Sequence, residues 1–195
     1  MRVFLALPRD RMWIESAREF VSRARKNSPD ASWTREESWH VTLKFLGEID
    51  AAMAREYAAS IAPHALAALA GEMPRGEAVV FPPRGPARVV GVGFGPSPVL
   101  ESVAELASRA EAAARALGLP SEDRGFHPHV TLARIRRPWP PASVEEFRTE
   151  AGSWAFPAWH TRSVVLYESR LGREGATHTP LEEWSFAGGD RGVRA

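Results

Sequence analysis

Two histidines and two threonines stand out because they occur twice in the same spacing. The four residues His40–Leu43 read His-Val-Thr-Leu, and His129–Leu132 repeat them letter for letter. An imidazole with a pKa of about 6.5 binds or releases a proton near neutral pH, and a hydroxyl group donates a hydrogen bond to an anionic oxygen. Two such pairs at one site would supply a general acid, a general base and two donors for a charged substrate.

Both copies lie in apolar runs that favour β-strands, Trp39 to Leu46 and Phe126 to Ile135. Successive side chains of a strand point to opposite faces, so the histidine and the threonine of each copy share one face. A single His-x-Thr pattern in a strand is common, and an identical tetrapeptide can recur by chance. Two such strands that face each other would place two imidazoles across one cleft.

The composition is that of an ordinary globular protein. The chain has 195 residues, 44% of them hydrophobic and 25% charged, with a net charge of +1. The charge therefore predicts no long nucleic-acid footprint. The absence of cysteine excludes disulfides, thiolate nucleophiles and cysteine-type zinc sites. The apolar run from Val3 to Leu7 is too short for a signal-peptide core or a membrane span. We expect a cytoplasmic monomer with a single domain over residues 1–195.

The order of the predicted elements indicates the fold class. Long amphipathic helices are predicted over 9–26, 50–69 and 97–117 and a short one over 144–150, with Asp50 and Ser97 as N-caps. Strands are predicted over 3–7, 39–46, 77–81, 87–94, 126–135, 162–169 and 177–186. Such a mixed order favours an α+β fold with antiparallel sheets over a doubly wound parallel sheet. The helices would cover the outer faces and leave the motif faces open.

The paired motifs, HVTLKFLG and later HPHVTLAR, resemble the 2H phosphoesterase superfamily. The nearest likeness is to the RNA 2′,3′-cyclic phosphodiesterases, historically called 2′-5′ RNA ligases, and it spans essentially the whole chain. The resemblance implies two pseudo-symmetric lobes around a central cleft, with one motif from each lobe. Strands exchanged between the lobes are compatible with it.

The resemblance also implies an activity, the metal-independent hydrolysis of 2′,3′-cyclic phosphates at RNA 3′ ends or on nucleotides to 2′-phosphomonoesters. It assigns His40 as the acid and His129 as the base, although the identical motifs do not themselves distinguish the two roles. The hydroxyls of Thr42 and Thr131 would donate to the phosphate oxygens. Hydrolysis of a small cyclic-phosphate nucleotide, weak 2′-5′ ligation and non-catalytic binding of a terminal phosphate remain alternatives.

Three further residues are candidates for substrate binding. The resemblance implies a basic residue near the phosphate at Arg134, yet strict alternation points this side chain away from His129 unless the strand bends. Phe126, at the mouth of its strand, is predicted to stack on a nucleobase. Phe45 is also a stacking candidate, although alternation places it on the core face. Lys44 falls on the His40 face and is predicted to be a solvated charge at the end of the strand.

Neither a metal nor a cofactor is predicted. His127 and His129 flank a proline, but the nearest acids, Glu122 and Asp123, give no recognised ligand spacing. In the last strand the resemblance leads us to expect a tyrosine where this chain has His178. The corresponding substrate contact would then be altered.

Overall fold

The computed structural model describes residues 1–29, 31–122, 125–172 and 175–188. Within these ranges the chain forms four α-helices: α1 (Arg11–Asn27), α2 (Ala51–Ala67), α3 (Pro98–Ala116) and α4 (Pro141–Ser153). The strands are β1 (Arg2–Leu7), β2 (Ser32–Trp33), β3 (Val41–Glu48), β4 (Gly71–Met73), β5 (Arg75–Phe81), β6 (Val89–Phe94), β7 (His129–Arg134), β8 (Trp159–Thr161), β9 (Ser163–Gly172) and β10 (Gly175–Ser185).

Two four-stranded sheets form the framework. The strand order is β10-β9-β1-β3 in the first sheet and β2-β7-β6-β5 in the second, and β4 and β8 make a separate two-stranded pair. Neighbouring strands are antiparallel throughout these sheets. The first motif precedes and enters β3, and the second lies in β7, so each sheet carries one motif at an edge or next to it. The predicted α+β class with antiparallel sheets is confirmed.

Each four-stranded sheet and the helices packed on it form one half of the molecule, and the chain passes more than once between these two halves. Helices α2 and α3 pack against each other and against strands of the first sheet, whereas α4 packs on β5 of the second sheet and α1 on α4. Strand β2 joins the second sheet although its chain neighbours β1 and β3 belong to the first. The buried side chains of both halves form one contiguous hydrophobic cluster. This crossing of the chain ties the two motif strands into a single packed unit.

The ends of the helices follow the capping signals of the sequence. The Asp50 carboxylate accepts a hydrogen bond from the amide of Met53, and the Ser97 hydroxyl accepts one from Leu100. Both N-caps were predicted, and both predictions are confirmed. Within the described ranges, no helix is long and apolar enough to cross a membrane.

The differences from the predicted elements concern short segments and the ends of strands: β7 begins at His129, three residues after the predicted start, and β9 ends at Gly172, three residues beyond the predicted end. Strands β2, β4 and β8 contain only two or three residues each, too few for alternation to be visible in a sequence. Residues 33–37, for which no element was predicted, therefore include the end of β2 and the start of a 3₁₀ helix, Glu36–Ser38. Helix α4 begins three residues earlier and ends three residues later than predicted, because Pro141 opens it at a position that proline tolerates.

Glycine allows β6 to approach β7 closely. Gly91 pairs with Thr131, and a Cβ atom on Gly91 would lie 2.1 Å from the carbonyl oxygen of Val130. A side chain at this position would therefore push the second motif strand away from its neighbour. Gly91, which interrupts the apolar run of β6, thus allows the second motif strand to lie close to β6.

Candidate active site

A cleft of about 1070 Å³ is lined by residues of both sheets. His40 and Thr42 line it from the first sheet, and His129 and Thr131 line it from the second. The arrangement expected from the repeated tetrapeptide, two imidazoles and two hydroxyls at one cleft, is therefore present in the fold. Such a set can transfer two protons and bind an anion.

His40 is held by aromatic contacts. It lies immediately before β3, and its ring stacks on Phe4 with centroids 4.9 Å apart and an interplanar angle of 27°. Phe4 is 3% exposed and also stacks on Tyr167 at 5.3 Å. Phe4 therefore orients the imidazole and shields one side of it from water.

His178 is a third imidazole in the cleft. From β10 its ring meets His40 edge-on at 5.3 Å and Phe4 at 5.0 Å. Its Nδ1 atom is buried and has no hydrogen-bond partner among the described residues. The sequence indicated only that this position departs from the expected tyrosine. The structure shows that the substituted ring contacts His40 directly.

These surroundings keep His40 uncharged in the free protein. Burial lowers the pKa of His40 to about 3, and the nearby charge of protonated His178 contributes to the lowering. Burial also lowers the pKa of His178. An imidazole inside an aromatic cluster loses the hydration that its cation needs, so the neutral form is favoured.

His129 is held by a hydrogen bond. Its Nδ1 atom lies 2.7 Å from the carbonyl oxygen of His127. A carbonyl only accepts, so Nδ1 donates, and the neutral ring has its lone pair on Nε2. Phe81 lies against the ring at 4.9 Å. Burial lowers the pKa of His129, the hydrogen bond to His127 opposes this effect, and the charges of His127 and Arg134 add to the lowering.

The hydroxyl of Thr34 joins the two motifs. It accepts a hydrogen bond from Nε1 of Trp39, the residue before His40, at 2.9 Å. On the other side it lies 2.8 Å from the carbonyl oxygen of Thr131 and 2.9 Å from that of Leu132. The amide of Thr34 also donates to the Leu132 carbonyl at 2.9 Å. One side chain, in a stretch for which no helix or strand was predicted, therefore connects the two motif segments.

A bulge in β3 changes which side chains face the cleft. The register between β1 and β3 shifts after Thr42, so that Leu43 has no partner in β1. An extra residue reverses the alternation beyond it. Phe45 consequently lines the cleft and is 53% exposed, on the same side as Thr42. The core face that alternation gave for Phe45 was wrong, and the alternative of a stacking position is compatible with its placement.

The second motif strand has a bulge at the equivalent position. The register between β6 and β7 shifts after Thr131, which leaves Leu132 without a partner. Arg134 thereby lines the cleft, where strict alternation alone would have turned it away. Each motif is therefore followed by a bulge, and the residue three positions after the threonine, Phe45 or Arg134, returns to the cleft.

Lys44 does not have the solvated position that the sequence predicted. It is 3% exposed, its ammonium group lies 2.6 Å from a carboxylate oxygen of Glu111, and it donates to the carbonyl oxygen of Pro120 at 3.3 Å. The bulge in β3 turns Lys44 away from the cleft face and towards α3. The prediction was wrong because alternation does not continue through a bulge.

The remaining candidates lie on the segment before β7. Phe126, partly buried, and His127, exposed, both line the cleft. No group of three histidine or acidic side chains suited to a metal ion occurs in the described ranges. The amide of Glu122 donates to the Glu111 carboxylate at 3.2 Å, while Asp123 lies outside the described residues.

Comparison with known proteins supports the resemblance seen in the motifs. The family model described as LigT-like phosphoesterase matches residues 11–91 and 93–178. The chain belongs to this family. The recognition of a 2H phosphoesterase is thereby confirmed. A relative from Aeropyrum pernix, named RNA 2′,3′-cyclic phosphodiesterase, is 30% identical over 156 residues, which cover 80% of this chain and 86% of the relative.

Solved structures of the LigT-like fold agree with the architecture. A Thermus thermophilus protein aligns with a TM-score of 0.76 and 23% identity, covering 95% of this chain and 97% of its own. Escherichia coli LigT, in a crystal structure with 3′-AMP, aligns with a TM-score of 0.72 and 22% identity, covering 95% and 98%. These likenesses establish that the LigT-like fold is shared.

We expect the lowered pKa of His40 to make this phosphoesterase sensitive to acid. The unfolded chain binds a proton at His40 below a pH of about 6.5, whereas the folded chain stays neutral there until about pH 3. The unfolded state therefore binds more protons in this window, and stability falls as the pH falls.

The His40→Gln variant tests this expectation. Compared with it, the wild-type protein should lose up to about 1.4 kcal/mol more unfolding free energy for each pH unit below 6. Denaturant titrations between pH 7 and pH 4 measure the difference. Parallel curves for the two proteins would contradict the lowered pKa.

Removal of the Thr34 hydroxyl should weaken the fold at the junction of the motifs. The Thr34→Val variant leaves Nε1 of Trp39 without its acceptor, so we expect a loss of about 1–3 kcal/mol of unfolding free energy. Thr34→Ser keeps the hydroxyl and serves as the matched control. Urea unfolding of both variants measures the effect, and a Thr34→Val variant as stable as the wild type would contradict a stabilising role for the hydroxyl.

Proposed function

We propose that this phosphoesterase hydrolyses RNA 2′,3′-cyclic phosphate ends to 2′-phosphomonoesters by a metal-independent, two-histidine acid–base mechanism. The observation that carries the proposal is the convergence of both His-x-Thr motifs on one cleft. The name of the Aeropyrum pernix relative supports the substrate class. A five-membered cyclic phosphate also suits a site of this kind, because its ring strain lowers the demand on the catalyst.

His129 is the general base in this proposal. Its Nδ1–H group is engaged by the His127 carbonyl, which leaves the Nε2 lone pair to accept a proton. Water attacks phosphorus as Nε2 takes its proton. The hydrogen bond holds the neutral ring in this tautomer before the step and keeps the ring oriented as Nε2 gains the proton, so no reorientation is needed.

His40 is the general acid. It gives its proton to the ribose oxygen that departs as the phosphorus–oxygen bond breaks. An acid must be protonated, and the pKa of His40 is low in the free protein. The negative charge of a bound phosphodiester favours the imidazolium form and raises this pKa. Substrate binding would therefore load the acid at the site where the proton is needed.

The other cleft residues bind the substrate. The hydroxyls of Thr42 and Thr131 donate to the non-bridging oxygens, where charge accumulates. Arg134 adds a positive charge on the side of the second motif. Phe126 and Phe45 offer ring faces to the nucleobase, and such stacking contributes about 1–3 kcal/mol per base. The support for these roles is that all five side chains line the same cleft.

The two sides of the cleft differ in ways that fix the direction of the substrate. The second motif has Phe126 and Arg134 beside it, whereas the corresponding position after the first motif is Phe45. A nucleoside anchored beside the second motif presents the same ribose oxygen to His40 in each turnover. The proposal identifies this as the 3′ oxygen, which leaves the phosphate on the 2′ position.

Replacement of either motif histidine should abolish turnover. We expect His40→Ala and His129→Ala each to lower the turnover of a nucleoside 2′,3′-cyclic phosphate by at least ~10²-fold, because each removes one proton-transfer group. His64→Ala, on the exposed surface of α2, is the matched control and should retain full activity. Circular dichroism verifies that the variants fold. Wild-type rates in either folded cleft variant would disprove the acid–base pair.

Chelation should leave the activity unchanged. The proposed proton transfers and phosphate contacts use only imidazole, hydroxyl and guanidinium groups, so dialysis against EDTA should not lower the rate. The measurement is turnover before and after dialysis, with Zn²⁺ and Mn²⁺ added back separately. Activity that disappears on dialysis and returns with either ion would contradict the metal-independent mechanism.

The product should carry its phosphate on one ribose oxygen only. Because the nucleoside is anchored on one side, a dinucleotide with a 2′,3′-cyclic phosphate should give the 2′-phosphomonoester alone. Phosphorus NMR of the reaction mixture distinguishes the two isomers. A 3′-phosphate, or an equal mixture of both, would refute the anchoring argument even if both histidines are essential.

A further inference from the structure

One end of the second sheet is rich in arginine. Five exposed arginines lie in two segments there: Arg84, Arg88, Arg134, Arg136 and Arg137. Neither of the stretches 82–88 and 134–140 contains an acidic residue. The chain as a whole has almost balanced charge, with a net value of +1. This arginine end is therefore a local concentration of positive charge and not a reflection of the composition.

Backbone pairing brings the two segments together. Val89, the first residue of β6, pairs with Arg134, the last residue of β7. The amide of Ile135 donates to the carbonyl oxygen of Arg88 at 2.8 Å, and the amide of Arg88 donates to that of Phe81 at 2.7 Å. The loop after β5 and the segment after β7 thus leave the sheet side by side. Their arginines share one edge of the molecule.

Among the described residues, no neighbouring side chain forms an ion pair with the arginine end. None of its five members has an ion-pair partner within the residues that the structure describes. Several arginines elsewhere do, for example Arg23 with Glu150 and Arg170 with Glu168. Like charges gathered without partners repel one another, so they favour an anionic ligand.

The arginine end is continuous with the cleft. Arg134 and Val89 line the cleft, and so does Phe81, the last residue of β5. The ring of Phe81 lies 6.0 Å from that of His127 and 4.9 Å from that of His129. Positive charge beside rings that line a cleft is typical of surfaces that bind single-stranded nucleic acid, where the charges follow the backbone and the rings stack on bases.

We propose that the arginine end binds the phosphate backbone of an RNA strand whose cyclic phosphate terminus occupies the cleft. The inference rests on the proposed function and names its substrate more closely: a strand of several nucleotides is preferred to a mononucleotide. The terminal nucleotide contacts the cleft residues, and the preceding phosphates pass Arg134 towards Arg88, Arg136 and Arg137. A mononucleotide has no such phosphates and makes none of these contacts.

The test compares two substrates and three proteins. The substrates are a nucleoside 2′,3′-cyclic phosphate and an RNA of about six nucleotides, a typical site size, with the same cyclic end. The Arg136→Gln/Arg137→Gln variant removes two charges from the arginine end and no residue that we place in the cleft. The matched control, Arg55→Gln/Arg162→Gln, removes two charges from exposed arginines that do not line the cleft.

We expect the wild-type kcat/KM for the oligonucleotide to be at least about tenfold higher than that for the mononucleotide at about 50 mM salt. This ratio should be smaller at about 200 mM salt. The Arg136→Gln/Arg137→Gln variant should lose most of this advantage and retain its rate on the mononucleotide. In a plot of the logarithm of kcat/KM for the oligonucleotide against the logarithm of the salt concentration, the slope for this variant should be shallower by about 1 for each phosphate–arginine contact that is lost. The control variant should behave as the wild type.

Equal kcat/KM values for the two substrates would overturn the inference, as would an equal loss in the control variant. A direct binding measurement distinguishes failure of this inference from failure of the proposed function. Fluorescence anisotropy with a labelled oligonucleotide that ends in a 2′-phosphate requires no turnover. Salt-dependent binding that weakens only in the Arg136→Gln/Arg137→Gln variant supports the inference even if neither substrate is hydrolysed, and binding unaffected by these substitutions overturns it.

Discussion

The hydroxyl of Thr34 holds the two halves of the cleft in register. It receives a hydrogen bond from Trp39, next to His40, and contacts the carbonyl oxygens of Thr131 and Leu132, in the second motif. Two imidazoles that act on one phosphorus atom must keep a fixed separation, since misplacement by an ångström is costly in catalysis. The rest of the fold supports this bridge: β2 brings Thr34 to the second sheet, and the bulge at Leu132 lies at the carbonyl that Thr34 contacts.

Identical motifs have different surroundings in this molecule. His40 is enclosed by the rings of Phe4 and His178 and has a strongly lowered pKa, whereas His129 is fixed through a hydrogen bond to a carbonyl. The local sequences give two equal candidates for acid and base. In the proposed mechanism, the packing around them makes one ring a fixed acceptor and leaves the other to gain its proton when an anion binds. The proposed difference in role therefore rests on the neighbours and not on the motif.

The sequence contained enough information to locate the candidate site but not its boundaries. His40, Thr42, His129 and Thr131 were predictable because a repeated tetrapeptide is visible without any knowledge of tertiary contacts. The caps at Asp50 and Ser97 were predictable because they depend on local hydrogen bonds. These local signals account for the helices and the main strands.

The errors have a common physical cause in pairing between distant segments. A bulge is a property of two strands in register, so the bulge at Leu43 could not be read from one strand. Because the bulge was not visible, simple alternation assigned Phe45 and Lys44 to the wrong faces of β3. Thr34 was overlooked because a threonine in a short polar connection has no distinctive neighbours, and its partners lie almost a hundred positions away.

The most direct test of this account is an NMR titration of the His40 and His129 rings, with and without a bound nucleoside 2′-phosphate. In the free protein, His40 should remain neutral below pH 5, and the neutral form of His129 should have its proton on Nδ1. Binding of the phosphate should raise the pKa of His40 by about three units, the upper end of the shift expected for an opposite charge close to the ring, because a smaller rise would leave the acid unprotonated near neutral pH. A His40 ring that titrates near pH 6.5 in the free protein and does not respond to the phosphate would contradict the proposed loading of the acid by its substrate.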